Sequence, residues 1–127
     1  LPKSVWPTME FMDMIETAEY WIPIIQSNED PDLIVGLFHS GTNETYGGYD
    51  ANDIGNPNAA QLVAEQVDGF DLIFVGHDHQ NHAFTVENVA GNTVWIVGSW
   101  AGCWRLGEAI VVMDPNGEDY EVTIEGL

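Results

Sequence analysis

Two short apolar runs constrain this chain more than any other feature. Leu33-Ile34-Val35-Gly36-Leu37-Phe38 and Leu72-Ile73-Phe74-Val75 are each entered by an Asp, and each gives way to a histidine, His39 and, after Gly76, His77. Runs of this length bounded by turn formers read as strands buried on both faces, the pattern of a parallel sheet. Residues 59 to 67 read as a helix between them, burying Ala59, Leu62, Val63 and Val67. Such a strand–helix–strand unit crosses over right-handed, and ligands gather at the carboxyl ends of its strands. Both histidines then fall on one rim. His79 follows two residues after His77. In extended backbone, residues i and i+2 share a side, so the two imidazoles reach one site while Asp78 turns away. His82 lies in the same turn and suits a solvent-exposed or supporting position.

The rest of the chain frames this unit. Phe11, Ile15, Ala18, Ile22 and Ile25 recur at spacings of 4, 3, 4 and 3, which predicts a helix over 8–26 with Thr8 as its cap. Pro23 should kink or end it near Glu19 to Ile22. Residues 42 to 56 are polar and read as a long loop, followed by Asn56-Pro57 as cap and first residue of the next helix. After His79 the pattern becomes β. Strands are expected at 83–87, 93–97, 106–113 and 120–124, with turns at Gly91-Asn92 and Pro115-Asn116-Gly117.

Charge narrows the function. The 127 residues hold 2 basic and 21 acidic side chains, and Lys3 and Arg105 are the only cations. A net charge of −19 repels phosphate backbones and anionic lipid, so neither nucleic acid nor a membrane surface is an expected partner. A phosphate-bearing substrate would need a positive charge supplied from elsewhere, and a metal ion is the obvious source. Cys103 is the only cysteine, so no internal disulfide forms. No apolar run approaches the ~18 residues of a membrane span. The opening Leu1-Pro2-Lys3-Ser4 has neither Met nor a signal-peptide pattern, and the chain reads as a mature product or an excised piece.

Neutral imidazole is a favoured nitrogen ligand for zinc and other first-row metals, so His39, His77 and His79 on one edge point to metal. Other residues have plainer readings. Trp95, Trp100 and Trp104 offer a base-stacking platform or, more ordinarily, packing. Cys103 reads as a small buried thiol. Arg105 suits a phosphate or one of the many acids. Glu44, Asp50 and Asp53 read as a solvated loop rather than replacement ligands. Asn43-Glu44-Thr45 matches a glycosylation acceptor.

Pro31 to Gly41, Asn58-Ala59-Ala60 at a helix start, Gly69 to His79, and Val97-Gly98-Ser99-Trp100-Ala101-Gly102 together resemble the calcineurin-like metallophosphoesterases. The resemblance is to their branch of 5′-nucleotidases and 2′,3′-cyclic-nucleotide phosphodiesterases. It covers nearly the whole chain, Leu1 to Ser27 only loosely. It implies an α/β fold that is part of a four-layer αββα sandwich: one βαβ unit followed by mostly antiparallel strands. It implies a site of two divalent ions (Zn, Mn or Fe), His39 and His77 on one and His79 on the other, with no catalytic residue in this stretch. The family's Asp-x-His pair, its metal-bridging Asp and its Asn-His pair are not in this sequence. Residues 1–127 therefore read as the second half of a catalytic domain, partnered by the missing amino-terminal half.

The implied function is part of a metal-dependent hydrolase acting on nucleotides or other phosphoesters, in the periplasm or at the cell surface. Without a bridging carboxylate to hold two ions ~3.5–4 Å apart, this stretch alone should have little activity. The alternatives are a non-enzymatic or degenerate metal-binding module, and a mononuclear zinc hydrolase with all three histidines on one ion. A half-sandwich also leaves a sheet face uncovered, which predicts homodimerisation or aggregation.

Overall fold

The computed structural model describes residues 3–5, 7–115 and 120–126. Helix α1 (Met14–Glu29) starts later than its apolar spacing suggested, because Asp13 rather than Thr8 caps it. Asp13 Oδ1 accepts from the backbone N–H of Ile15 at 2.8 Å and of Glu16 at 3.2 Å. The carboxylate thus satisfies two of the donors that a helix start leaves open. Pro23 does not end α1 as expected; the helix continues to Glu29. Ala18 and Ile22 are buried from it, and that packing outweighs the one ladder bond proline removes. Asp30 closes it in the left-handed region at φ 46, its N–H bonded to Gln26 O at 3.2 Å.

Strands β1 (Val35–Leu37), β2 (Leu72–Val75), β3 (His82–Glu87) and β4 (Thr93–Gly98) form one sheet in the order β1-β2-β4-β3. β1, β2 and β4 run parallel, and β3 pairs antiparallel to β4. Helix α2 (Ala60–Gln66) is the crossover between β1 and β2. It begins after the expected start, since Asn56 and Pro57 belong to the loop: Asn56 Oδ1 accepts from Asn58 N–H at 2.9 Å. Gly36, Ile73, Ile96 and Phe84 form one cross-strand row. That face packs against Ala18 and Ile22 of α1 and Ala60, Val63 and Ala64 of α2, with Ile73, Ile96 and Val63 at or near zero exposure.

The opposite face is covered by a hairpin of β5 (Gly107–Met113) and β6 (Tyr120–Gly126). A Cβ on Gly107 would lie 2.7 Å from Val97 Cγ1, so the hairpin can approach this closely only through glycine. Tyr120 lies beside Trp95, ring centroids 6.3 Å apart and planes tilted at 58°, and donates its hydroxyl to the Asp71 carboxylate. Among the described residues this makes three layers, helices, mixed sheet and hairpin, of the expected four-layer α/β sandwich. The turn expected at Pro115 lies, from Asn116 on, outside the described residues, as does the Cys103 side chain.

One expectation about β1 needs correction. It is not buried on both faces: Leu37 is 79 % exposed and Val35 42 %. Among the described strands β1 pairs only with β2, so it is an edge. Beside it lies an apolar groove of about 480 Å³, lined on the helix side by Met12, Met14 and Trp21. Among the described residues no helix is long and apolar enough to cross a membrane.

Candidate metal site at the strand ends

β1 and β2 are in parallel register, Leu37 opposite Phe74, so their carboxyl ends lie side by side. Phe38 extends the pairing by one bond, its N–H to Phe74 O at 2.8 Å. The next residues, His39 and His77, then meet. Their ring centroids are 5.3 Å apart with planes at 70°, and both side chains are exposed.

His77 and His79 do not sit in extended backbone. Their φ values are 76 and 57, the left-handed region, which costs a non-glycine residue on the order of 1–2 kcal/mol. The i, i+2 argument from a strand therefore does not apply to them. Among the described residues no three His, Cys, Asp or Glu side chains gather closely enough to hold one ion. The pair His39–His77 is what the fold brings together, and His79 does not join them in a single cluster.

The residues beneath the rim were less visible in the sequence. Asp78 turns inward and is the hub. Its Oδ2 accepts from the backbone N–H of Thr42 at 3.2 Å and from His82 Nε2 at 2.8 Å. Its Oδ1 accepts from Gln80 N–H at 3.1 Å. A carboxylate only accepts, so the His82 proton facing it is on Nε2. The two side chains are largely buried, 15 % exposed for His82 and 10 % for Asp78. Thr42 Oγ1 lies 3.4 Å from the same nitrogen.

The loop after His39 is tied just as closely. Ser40 is 1 % exposed; its carbonyl accepts from Gly76 N–H at 3.2 Å and its Oγ from Ala60 N–H at 3.1 Å. Gly41 O also accepts from Ala60 N–H, at 3.1 Å, while Gly41 N–H bonds Pro57 O at 3.0 Å. A Cβ on Gly41 would lie 2.4 Å from Asn58 Oδ1 and 2.9 Å from Asp78 Cβ. Asn58 is 1 % exposed, and among the described residues its Oδ1 has no hydrogen-bond partner. The small polar run Ser40-Gly41-Thr42 directly after His39 is the signal that could have disclosed this scaffold.

The remaining candidates lie apart from it. Asp53 Oδ2 accepts from Asp50 N–H at 2.7 Å and Asp50 Oδ1 from Asn52 N–H at 3.0 Å, so these acids shape their own loop. The Asn52 backbone N–H, and after it the Asn52 side-chain amide, hold the Asp50 carboxyl below its ordinary pKa. Asn43 Oδ1 accepts from Thr45 N–H and Oγ1, a local turn. Trp100 and Trp104 are exposed, Trp104 at 84 %, so only Trp95 packs inside the layers.

No protein-family profile matches the chain, and no curated protein matches it. Solved structures do. The chain superposes on a 5′-nucleotidase precursor from Thermus thermophilus with a TM-score of 0.68 and 22% identity, over 93% of this chain and 23% of that one. An NAD nucleotidase from Haemophilus influenzae also gives 0.68, with 19% identity over 92% of this chain and 20% of its own. A calcineurin-like phosphoesterase from Bacillus subtilis gives 0.63, with 25% identity over 91% and 37%. The chain thus spans between a fifth and somewhat over a third of the length of these matched structures. The fold is that of part of a calcineurin-like phosphoesterase or 5′-nucleotidase domain.

Proposed function

We propose that this chain, which has the fold of part of a calcineurin-like phosphoesterase domain, supplies metal-binding histidines to a phosphoester hydrolase acting on nucleotides. In this reading His39 and His77 hold one divalent ion and His79 a second, which further chain completes. The observation that carries it is the meeting of His39 and His77 at the ends of adjacent parallel strands, 5.3 Å between ring centroids. Two imidazoles sharing one tetrahedral zinc through nitrogens at ~2.0–2.1 Å have centroids roughly 5 Å apart, so the pair fits. The bound metal would polarise a phosphoryl oxygen and lower the pKa of a coordinated water. What this chain's residues contribute is orientation: the rings are presented together at the rim, above a buried polar scaffold. A net charge of −19 makes the metal the natural counter-charge for a phosphate.

By likeness of fold, the ion in this reading is Zn, Mn or Fe and the substrate that of a 5′-nucleotidase or 2′,3′-cyclic phosphodiesterase. The proposed location is the periplasm or the cell surface. Among the described residues the mononuclear reading lacks its third ligand. We also propose that the polypeptide completing the site is the other half of the domain, and that it covers the β1 edge.

The test is metal binding and turnover by the 127-residue chain. Cobalt titrated into it should perturb the His39 and His77 imidazole resonances, with His77→Ala abolishing the effect. Hydrolysis of bis-p-nitrophenyl phosphate and of a nucleoside monophosphate, with Mn²⁺ or Zn²⁺, should stay at background. Cobalt that leaves both imidazoles untouched overturns the metal reading. Metal-dependent turnover lost in His77→Ala overturns the incomplete site.

A further inference from the structure

Asp78 stands between two rim histidines yet points away from both, into the protein. It joins three segments: the loop after β1 through Thr42 N–H, its own turn through Gln80 N–H, and the start of β3 through His82 Nε2. The turn it anchors carries two residues, His77 and His79, in a backbone conformation that side chains disfavour. Such a conformation persists only where the surroundings over-determine it. The neighbours are set accordingly. Gly41 admits Asp78 and Asn58 at distances that no Cβ would allow, and Ser40 O holds Gly76 N–H just before the turn.

We propose that Asp78 and His82 are positioning residues: the Thr42–Asp78–His82 bracket locks the left-handed turn that presents His77 and His79 and keeps His77 against His39. A bracket is required because the backbone pairing of β1 and β2 runs on only to Phe38 N–H with Phe74 O and Gly76 N–H with Ser40 O, just before the turn that carries His77 and His79. Past those bonds, the buried Asp78 carboxylate reaches across to the other loop at Thr42 N–H. His82 is the first residue of β3, held opposite Gly98 in the sheet. The bracket therefore ties the rim to the antiparallel half of the sheet, not only to the parallel half. Its relevance to metal rests on the reading proposed above; its structural claim does not.

The experiment has a metal-free arm and a metal arm, both on the labelled full chain. Without metal, the native chain should show a cross-peak between the His39 and His77 rings. It should also show the strong intraresidue amide–Hα cross-peaks that positive φ produces at His77 and His79. His82→Ala and Asp78→Ala should lose both signatures, while His82→Gln, which keeps a donor on the same reach, should restore them. Asn88→Ala removes a buried side chain (5 % exposed) at the far end of the sheet and should leave the rim signatures intact. If Asp78→Ala does not fold, Asp78→Asn is the substitute, with weakened signatures expected. Signatures missing from the native chain, or kept in both His82→Ala and the Asp78 variant, overturn the bracket. In the metal arm, cobalt affinity should fall ~10–100-fold in His82→Ala, the usual cost of losing a residue that supports a ligand. Unchanged affinity in a variant that has lost the signatures overturns the positioning role. A native chain with the signatures but no cobalt binding leaves the bracket standing and overturns the metal reading instead.

Discussion

Gly41 shows how much a single position decides at this rim. Adding one methyl would bring carbon to 2.4 Å from Asn58 Oδ1 and 2.9 Å from Asp78 Cβ. Neither neighbour can give way freely, because Asn58 is 1 % exposed and Asp78 is bonded on both oxygens. Gly41→Ala should therefore destabilise the chain by about 1–3 kcal/mol in urea unfolding, the cost of overpacking. The Asp50 carboxyl gives a second residue-scale prediction. Its pKa is lowered by the Asn52 backbone N–H, then by the Asn52 amide. A carboxyl whose folded pKa lies below its unfolded one stabilises fully above the unfolded value. That contribution is lost as pH falls through the folded value. A carbon-detected NMR titration should place the Asp50 midpoint below that of an unstructured Asp, and Asn52→Ala should move it upward. At this scale His39 and His77 were legible from their place after two apolar runs. Alternation also predicts Asp78 turned away from the imidazoles and His82 in an exposed or supporting position, but the 2.8 Å bond that joins the two side chains is not legible from it.

The elements show local pattern and tertiary context at odds. The stripe from Phe11 to Ile25 predicts one helix, kinked or ended at Pro23. Instead Asp13 provides the capping oxygen, and the helix runs through the proline to Glu29 because Ile22 is buried against the core. The proline still leaves Glu19 O without its ladder donor. Pro23 is exposed, so Pro23→Ala should restore that bond at no packing cost. It should stabilise the chain by up to about 3 kcal/mol, read as a raised unfolding midpoint in urea. The strand–helix–strand order was visible because buried parallel strands are written as unbroken apolar runs. The exact partners were not: β4 inserts between β2 and β3, so β2 gains a second parallel neighbour that no run of letters reveals.

Across the whole molecule, the charge and the open edge oppose each other. Leu37, 79 % exposed on a strand paired on one side, invites another strand, whereas a net charge of −19 keeps two copies apart. Salt screens the repulsion and leaves the apolar contact intact. Light scattering should therefore give a rising apparent mass between low and high salt, and Leu37→Lys should suppress the rise without lowering stability. A monodisperse monomer at both ionic strengths would count against the idea that this edge is built to be covered.

Taken alone, the order of residues determined the β–α–β core and the rim on which His39 and His77 fall. These rest on nearest-neighbour facts: apolar runs and turn formers. Only the tertiary structure decided that β1 is an edge, that His77 and His79 adopt left-handed backbone, and that one inward carboxylate binds three segments together. The reason is physical. Exposure, strand order and a hydrogen bond between residues 36 positions apart, as Asp78 has with Thr42, depend on which surfaces meet after folding. No local window of sequence contains that information.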